Sequence, residues 1–484
     1  MKVIFNMYQE TKACIKLNNK LSNSFNCNIG VRQGDNLSPL LFALFINDFE
    51  AYLSPKYDGL ISLNNLHQDA TANDEFETFL KLYILLYADD TIVMAEDEIE
   101  LQKGLDAVRD YCKLWNLKIN VNKTKIIRFS KRKTPNNQYE FLLNGEKVEV
   151  VDDYVYLGTT VSHNGKYSNA IEKQVTQAKR ALFGLQSKKE MYDLPFDIVL
   201  DLFDKMILPI LLYGCEIWGY EDLQHIEVFY KKFLKETLRL NKQTTNCMVY
   251  GEAGRKPLNI IVKTRMVCFW HRIVTGAENK LSYKITYFLK KLHEQNQHSS
   301  PWLKNIKQIL NTCGMGNVWM NPDTCNHSWL KNAIEQRLSD MYIQEWQSQL
   351  NSRSSCMTYR SLKPDFKQER YLTLPNKSDR INLSKFRCRN IKIPVVTGGY
   401  TNRNNPATPY ENRLCEICDM NVIGDEYHYI LECPVFQEHR NNYLDDFYVR
   451  NPNREKFTLL FLNDNKQILC RLSKLCCEIN KKFR

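Results

Sequence analysis

The sequence predicts an α+β fold: a partial antiparallel sheet with helices, then a long and mostly helical region that ends in a metal-stapled unit. Three observations lead there. Residues Leu82 to Ala95, LYILLYADDTIVMA, set two apolar β-prone runs around the adjacent aspartates Asp89 and Asp90. From Asn169 onward, Ile171, Val175, Ala178, Leu182 and Leu185 recur at helical spacing. Near the C-terminus, Cys415, Cys418, His428 and Cys433 fall within a span short enough for one ion.

The apolar runs read as a hairpin with acid at its turn. Side chains alternate faces along a strand, so neighbouring carboxylates serve one site only where the chain bends. Two carboxylates ~5 Å apart repel by roughly 3 kcal/mol at an effective dielectric of about 20. A cation offsets that repulsion, and oxygen ligands with high negative charge suit Mg²⁺, including a two-metal site for phosphoryl transfer. An Asp pair is also ordinary turn chemistry, so the surrounding chain has to decide.

Composition sets the bounds. A chain of 484 residues is long enough for two to four domains with real cores. A net charge of +11, with 26 Tyr and 23 Phe, suits an acidic partner with stackable bases. No signal peptide follows Met1, and the apolar stretch around Met206 to Leu212 is too short to span a bilayer. The 16 scattered cysteines fit reduced thiols in an intracellular protein of the nucleus or cytoplasm, not a secreted or membrane one.

In chain order, Val3 to Tyr8 read as the end of a helix, and Lys12 to Leu17 with Phe25 to Ile29 as a hairpin around Asn18-Asn19. In GVRQGDNLSP, Gly34 can take a backbone angle other residues resist, Ser38 is the expected N-cap and Pro39 the first helical position. The following LLFALFIND is apolar all round, which predicts a buried helix. Residues His67 to Thr78 are polar and acidic and read as a surface insertion. Leu101, Leu105, Val108, Cys112 and Trp115 then make one apolar helical face.

Leu117 to Phe129 alternates like a hairpin turning at Asn122-Lys123, and Tyr139 to Val151 like another around Asn144-Gly145. Between Asn116 and Tyr139 no acid occurs, while Lys118, Lys123, Lys125, Arg128, Lys131, Arg132 and Lys133 are basic. Such a run is a solvated face or, beside a metal-binding hairpin, a holder of phosphates. Ile207 to Trp218 and Met266 to Ile273 look structural, and Lys280 to Tyr371 reads as helices without a chemical motif.

Tyr87-Ala88-Asp89-Asp90 between its apolar strands, preceded by Arg32-Gln33-Gly34, Ser38-Pro39 and Asp48, resembles the reverse transcriptases of non-LTR (LINE-type) retrotransposons. The resemblance implies a partial polymerase palm over residues 1–165, with Asp89 and Asp90 as catalytic Mg²⁺ ligands and Asp89 the direct one. It implies that Arg32, Gln33 and Gly34 line the nucleotide and template pocket. Asn120 to Thr124 resembles the next palm motif, which assigns Lys123 to the pyrophosphate side of the nucleotide. Tyr154 to Val161 resembles the primer grip, with Leu157-Gly158 at its tight point. Residues 166–240, with Lys173, Lys179, Arg180, Lys188 and Lys189 around the apolar stripe, would be a helical thumb, although any exposed helix of a basic protein looks the same. A helical connector (241–396), a linker (397–412) and a zinc-binding unit (413–484) follow. Partners would be an RNA template, a DNA primer and dNTPs.

Thiolates and an imidazole at the spacing of Cys415, Cys418, His428 and Cys433 fit tetrahedral Zn²⁺ with no position left open for catalysis. His439 is a rival ligand. Glu426-x-His428 followed by Cys433-Pro434 resembles the zinc-binding segment found after the polymerase in these elements. Zinc there would staple a unit whose own core is slight.

The family's chemistry uses a further aspartate on an earlier palm strand, and here no Asp precedes Asp35. The expectation is a chain that begins after the first catalytic carboxylate and the fingers, with little or no polymerase activity alone. The alternative is a non-catalytic nucleic-acid-binding remnant of a retroelement.

Overall fold

The computed structural model describes residues 2–9, 11–27, 30–32, 34–57, 59, 84–87, 90–130, 139–187, 193–295, 300–399 and 406–483. It divides into two compact units, residues 1–154 with 162–165, and residues 155–161 with 166–484.

In the first unit, the helix Lys2–Tyr8 leads into a nested hairpin, with Lys12–Ala13 paired to Phe25–Asn26 and Lys16–Leu17 to Lys20–Leu21. Asn18 and Asn19 turn it at φ 47° and 62°, the left-handed region that asparagine tolerates. Helix α1, Ser38–Phe45, departs from expectation twice. Leu37 takes the cap position, and the Ser38 hydroxyl instead donates to the Arg32 carbonyl at 2.5 Å. Nor is the helix buried: Leu40 and Leu44 are 58 % and 64 % exposed. Only its end meets a core, through Phe42 and Ile46 against Phe49, Leu53, Ala107 and Tyr111.

Strands β1, Ile84–Tyr87, and β2, Asp90–Val93, form the expected antiparallel hairpin. Helix α2, Glu98–Leu114, starts at Asp97, whose carboxylate accepts from the Glu100 backbone N–H at 2.8 Å. Its apolar residues do not share one face. Ala107 and Tyr111 serve the core just described, while Leu105 serves a second one with Ile126, Phe141, Leu143 and Val148. The hairpin expected over Leu117 to Phe129 is absent from these described residues. Asn120 closes a turn by accepting from Lys123 and Thr124, and the strand Lys125–Ile126 pairs in parallel with Glu149–Val150. The turn at Asn144-Gly145 does form, between Leu142–Leu143 and Glu146–Lys147. In place of one antiparallel sheet, the described residues carry six two-stranded pairs, one of them parallel.

The second unit is mostly helical. Helix α3, Ser168–Gln186, buries Ile171, Val175, Ala178 and Leu182 along the expected stripe. The π-helical turn Phe203–Ile207 and the short helices Leu208–Leu211 and Cys215–Trp218 follow, with Gly214 at φ 72° between the last two. Helix α4, Leu258–Val274, packs on α5, His327–Ser352, and α6, Lys377–Arg387, packs on α7, Lys466–Lys482. A separate, smaller core gathers Met266, Trp270, Leu310, Trp319 and Ile334, while the larger core draws on residues from Ile171 to Ile479 and includes Cys415, Tyr429, Ile430 and Cys433. The cysteine-rich segment therefore shares this core and does not stand on a slight one of its own.

An ion cluster that sequence reading missed lies inside this unit. Arg387 meets Glu252 at 3.0 Å and Glu369 at 2.9 Å, Lys363 meets Glu369 at 2.5 Å, and the Tyr371 hydroxyl donates to Glu252 at 2.6 Å. Among the described residues, no helix is long and apolar enough to cross a membrane.

Candidate functional site

The hairpin brings Asp90 to the first position of β2, exposed and opposite Tyr87. Residues 88 and 89 connect the strands, and Asp89 lies outside the described residues, as do Gln33, Lys131 to Lys133, Lys188, Lys189 and the expected insertion at 67–78. The hairpin is seated on α2 at Gly104. A Cβ there would stand 3.1 Å from both the Val93 side chain and the Tyr57 ring, so a larger residue would require these neighbours to shift. Sequence reading passed over Gly104 because it interrupts an otherwise ordinary helix.

Arg32 is engaged locally. Its Nε and Nη2 donate to Thr11 Oγ1 at 3.3 and 3.2 Å, and its guanidinium lies 5.4 Å from the Tyr8 ring centre. Gly34, at φ +86°, makes the bend that follows. Asp35 then accepts from the Tyr8 hydroxyl at 3.2 Å and the Leu37 N–H at 3.1 Å. The Asp48 carboxylate accepts from the Tyr111 hydroxyl at 2.6 Å; burial first, then this bond, raises the Tyr111 phenol well above its ordinary range. Lys123 is exposed. Among the described residues no hydrogen bond or ion pair joins Arg32, Gly34, Asp90 and Lys123 to one another.

Leu157 and Gly158 form a tight turn at φ 46° and 78°. The Tyr213 hydroxyl donates to the Leu157 carbonyl at 2.9 Å, and Gln174 donates to that of Gly158 at 3.4 Å. A Cβ on Gly158 would meet the Tyr213 ring at 3.1 Å. Tyr213 thus fixes a turn whose strained leucine signals positional constraint.

The four residues near the C-terminus do converge. The sulfurs of Cys415, Cys418 and Cys433 and a ring nitrogen of His428 all lie within 4.8 Å of one another. Cys415 and Cys418 sit on a small reversal where Cys415 N–H donates to the Val422 carbonyl at 2.8 Å and Asn421 turns at φ 51°. His428 opens the π-helical turn His428–Glu432, whose first N–H is held by Asp425 at 2.8 Å. That turn closes with the Cys433 N–H on the His428 carbonyl at 2.7 Å. His428 Nε2 lies 3.4 Å from Cys418 Sγ, while Nδ1 faces Glu432 at 3.6 Å, the carboxylate support common behind ligating imidazoles.

Burial holds His428 below the ordinary imidazole range, which favours the neutral, ligating form. Burial also pushes the Cys433 thiol up to about 12, helped by Cys415 and Cys418. A bound cation reverses that cost by stabilising thiolates. Three sulfurs and one nitrogen form a set that could hold zinc.

Residues 2–161 match the family model described as reverse transcriptase (RNA-dependent DNA polymerase). The chain resembles the reverse transcriptases of non-LTR mobile elements. It is 26 % identical over 205 residues to the RNA-directed DNA polymerase from the mobile element jockey of Drosophila melanogaster, covering 41 % of this chain and 20 % of that one. A protein of the same fly described as an RNA-directed DNA polymerase of the transposon X-element is 25 % identical over 226 residues, 44 % of this chain and 22 % of the relative. An uncharacterised transposon-derived protein of Caenorhabditis elegans is 28 % identical over 136 residues, 28 % of this chain and 48 % of its own length. The matches span less than half the length of each relative. The reverse transcriptase match contains Arg32 to Gly34, the β1–β2 hairpin, Lys123 and the Leu157-Gly158 turn.

Proposed function

We propose that this chain forms part of an RNA-directed DNA polymerase of a non-LTR retrotransposon, a nucleotidyltransferase that extends a DNA primer on an RNA template. The observation that carries this reading is the antiparallel hairpin around Tyr87-Ala88-Asp89-Asp90 inside a segment that matches the reverse transcriptase model. Asp89 and Asp90 hold Mg²⁺, with Asp89 the direct ligand. Bound magnesium supplies charge neutralisation for an in-line phosphoryl displacement. Gln33 and Gly34 shape the pocket for nucleotide and template, and Lys123 takes the pyrophosphate side. Arg32 ties the pocket loop to Tyr8 and Thr11. Leu157 and Gly158, backed by Tyr213, grip the primer, and helices of residues 166–240 lie along the duplex as a thumb. Cys415, Cys418, His428 and Cys433 hold a structural Zn²⁺.

Primer extension on an RNA template tests this reading. The 484 residues alone are expected to give little extension, since residues 1–34 hold no aspartate for the further metal position. Any Mg²⁺-dependent extension is expected to vanish in the Asp89→Asn, Asp90→Asn double variant. Extension that survives both substitutions overturns the site.

A second reading, a non-catalytic nucleic-acid-binding remnant, draws on the continuous core of the second unit, which needs no catalytic centre to persist. It expects steeply salt-dependent binding to RNA or DNA, unchanged by Asp89→Asn.

A further inference from the structure

Arg440 lies in the helix Gln437–Tyr443 with its side chain wholly buried. Its Nη2 donates to the carbonyls of Cys433 at 2.7 Å and Glu432 at 3.3 Å, and to Gln437 Oε1 at 2.8 Å. Nε and Nη1 are buried and meet no acceptor among the described residues. A guanidinium does not shed its proton in a protein, and a buried charge without a counter-ion is among the costliest things a fold can hold.

The acids of this segment have partners of their own, although Glu432 also acts on Arg440. Glu432 faces His428 Nδ1 at 3.6 Å, Asp425 pairs with Arg454 at 2.8 Å, and Glu426 pairs with Arg389 at 3.0 Å. What lies beside Arg440 is Cys433, one of the four converging residues. A divalent ion held by three thiolates and a neutral imidazole carries one net negative charge. One buried guanidinium cancels it.

We infer that Arg440 is the built-in counter-charge of the metal–thiolate centre formed by Cys415, Cys418, His428 and Cys433, a positioning residue that favours the metal-bound state. The inference rests on the zinc reading above. With metal bound, the guanidinium and the anionic centre neutralise each other inside the core; without metal, Arg440 loses that counter-charge and keeps only the partial support of Glu432. The orphaned N–H groups of Arg440 and the four-residue cluster are then parts of one electrostatic device.

The experiment is zinc affinity of the full chain, measured by competition with a chromophoric chelator, for the native protein, Arg440→Met and Arg440→Lys. Arg440→Met is expected to bind zinc 10- to 100-fold more weakly, the usual scale for losing a group that supports metal ligands. Arg440→Lys, which keeps the charge and loses the fork, is expected to recover most of the affinity. Urea unfolding in chelator adds a readout that a merely structural role would not produce: metal-free Arg440→Met is expected to be at least as stable as the metal-free native chain. Equal zinc affinity in Arg440→Met overturns the inference, and so does Arg440→Lys binding as weakly as Arg440→Met. If the native chain binds no zinc, it is the zinc reading that falls, and the two failures are thereby distinguished.

Discussion

The two units are built on different principles. The first packs α2 between two small clusters, one around Phe49 and Tyr111, the other around Phe141 and Leu143. It leaves Phe5, Leu21, Phe25, Leu40 and Leu44 exposed. The second has one large core, drawn from elements between residues 171 and 479 and enclosing charged groups as well as apolar ones, and beside it a smaller core around Trp270, Trp319 and Ile334. Burial grows faster than surface as a core enlarges, so a unit of many short pairs holds each element with few neighbours. The difference also separates the proposed chemistry from its support. The residues assigned to nucleotide and metal positioning sit on thin scaffolding, while the cysteine cluster sits on thick.

The sharpest test of this contrast is Arg387→Leu in the second unit. It leaves Glu252 in the core without a cation and Glu369 with Lys363 alone, and is expected to cost about 3–5 kcal/mol in urea unfolding of the full chain. A loss below about 1 kcal/mol would mean that the cluster is not closed to water. Leu53→Ala, which removes a fully buried side chain from the smaller core, is expected to cost about 2–3 kcal/mol and to lower protection of α2 amides in hydrogen exchange without touching α4 or α5. Spread of that effect into the second unit would show that the units unfold as one.

Zinc sharpens the comparison further. At free zinc a hundredfold above its Kd, chelation is expected to cost about 2.7 kcal/mol of second-unit stability. Its helical circular dichroism should nevertheless survive, because Tyr429, Ile430 and Phe436 remain packed in the shared core. Collapse of helicity on chelation would return the segment to the status of a metal-dependent domain. The smallest expected effect is Leu44→Gln, on the exposed side of α1, which should change stability by less than about 0.5 kcal/mol.

Features set by local chemistry were legible in the sequence. Asn18-Asn19 and Asn144-Gly145 turn where their residue types suggest, at positive φ, and the spacing of Ile171, Val175, Ala178 and Leu182 does mark a buried face, whereas the left-handed Leu157 is not something its residue type foretells. Cys415 to Cys433 converge as their spacing implies. What was not legible depends on distant partners. Alternation in Leu117 to Phe129 looks like a hairpin because nothing local reveals that Lys125-Ile126 pairs with Glu149-Val150. Apolar composition predicts burial of α1, but only neighbours confer it, and Leu40 and Leu44 have too few. Glu252 and Arg387 are 135 residues apart, and each alone reads as a surface charge. Arg440 announces itself only when its burial and its empty N–H groups are seen together.

The π-helical turn at His428–Glu432 makes the meeting of His428 and Cys433 a matter of counting. Wound as an ordinary α-helix, the chain would bring the N–H of Glu432, four residues on, to the His428 carbonyl; the wider turn brings that of Cys433, five residues on. Deleting one residue between them would relax the turn and move Cys433 to the fourth position after His428, about 100° around the helix axis from where the fifth stands. A single codon of length in this turn therefore decides whether Cys433 can close the set with Cys415, Cys418 and His428, and comparisons among related elements should treat length changes here as chemical changes, not as tolerated variation in a loop.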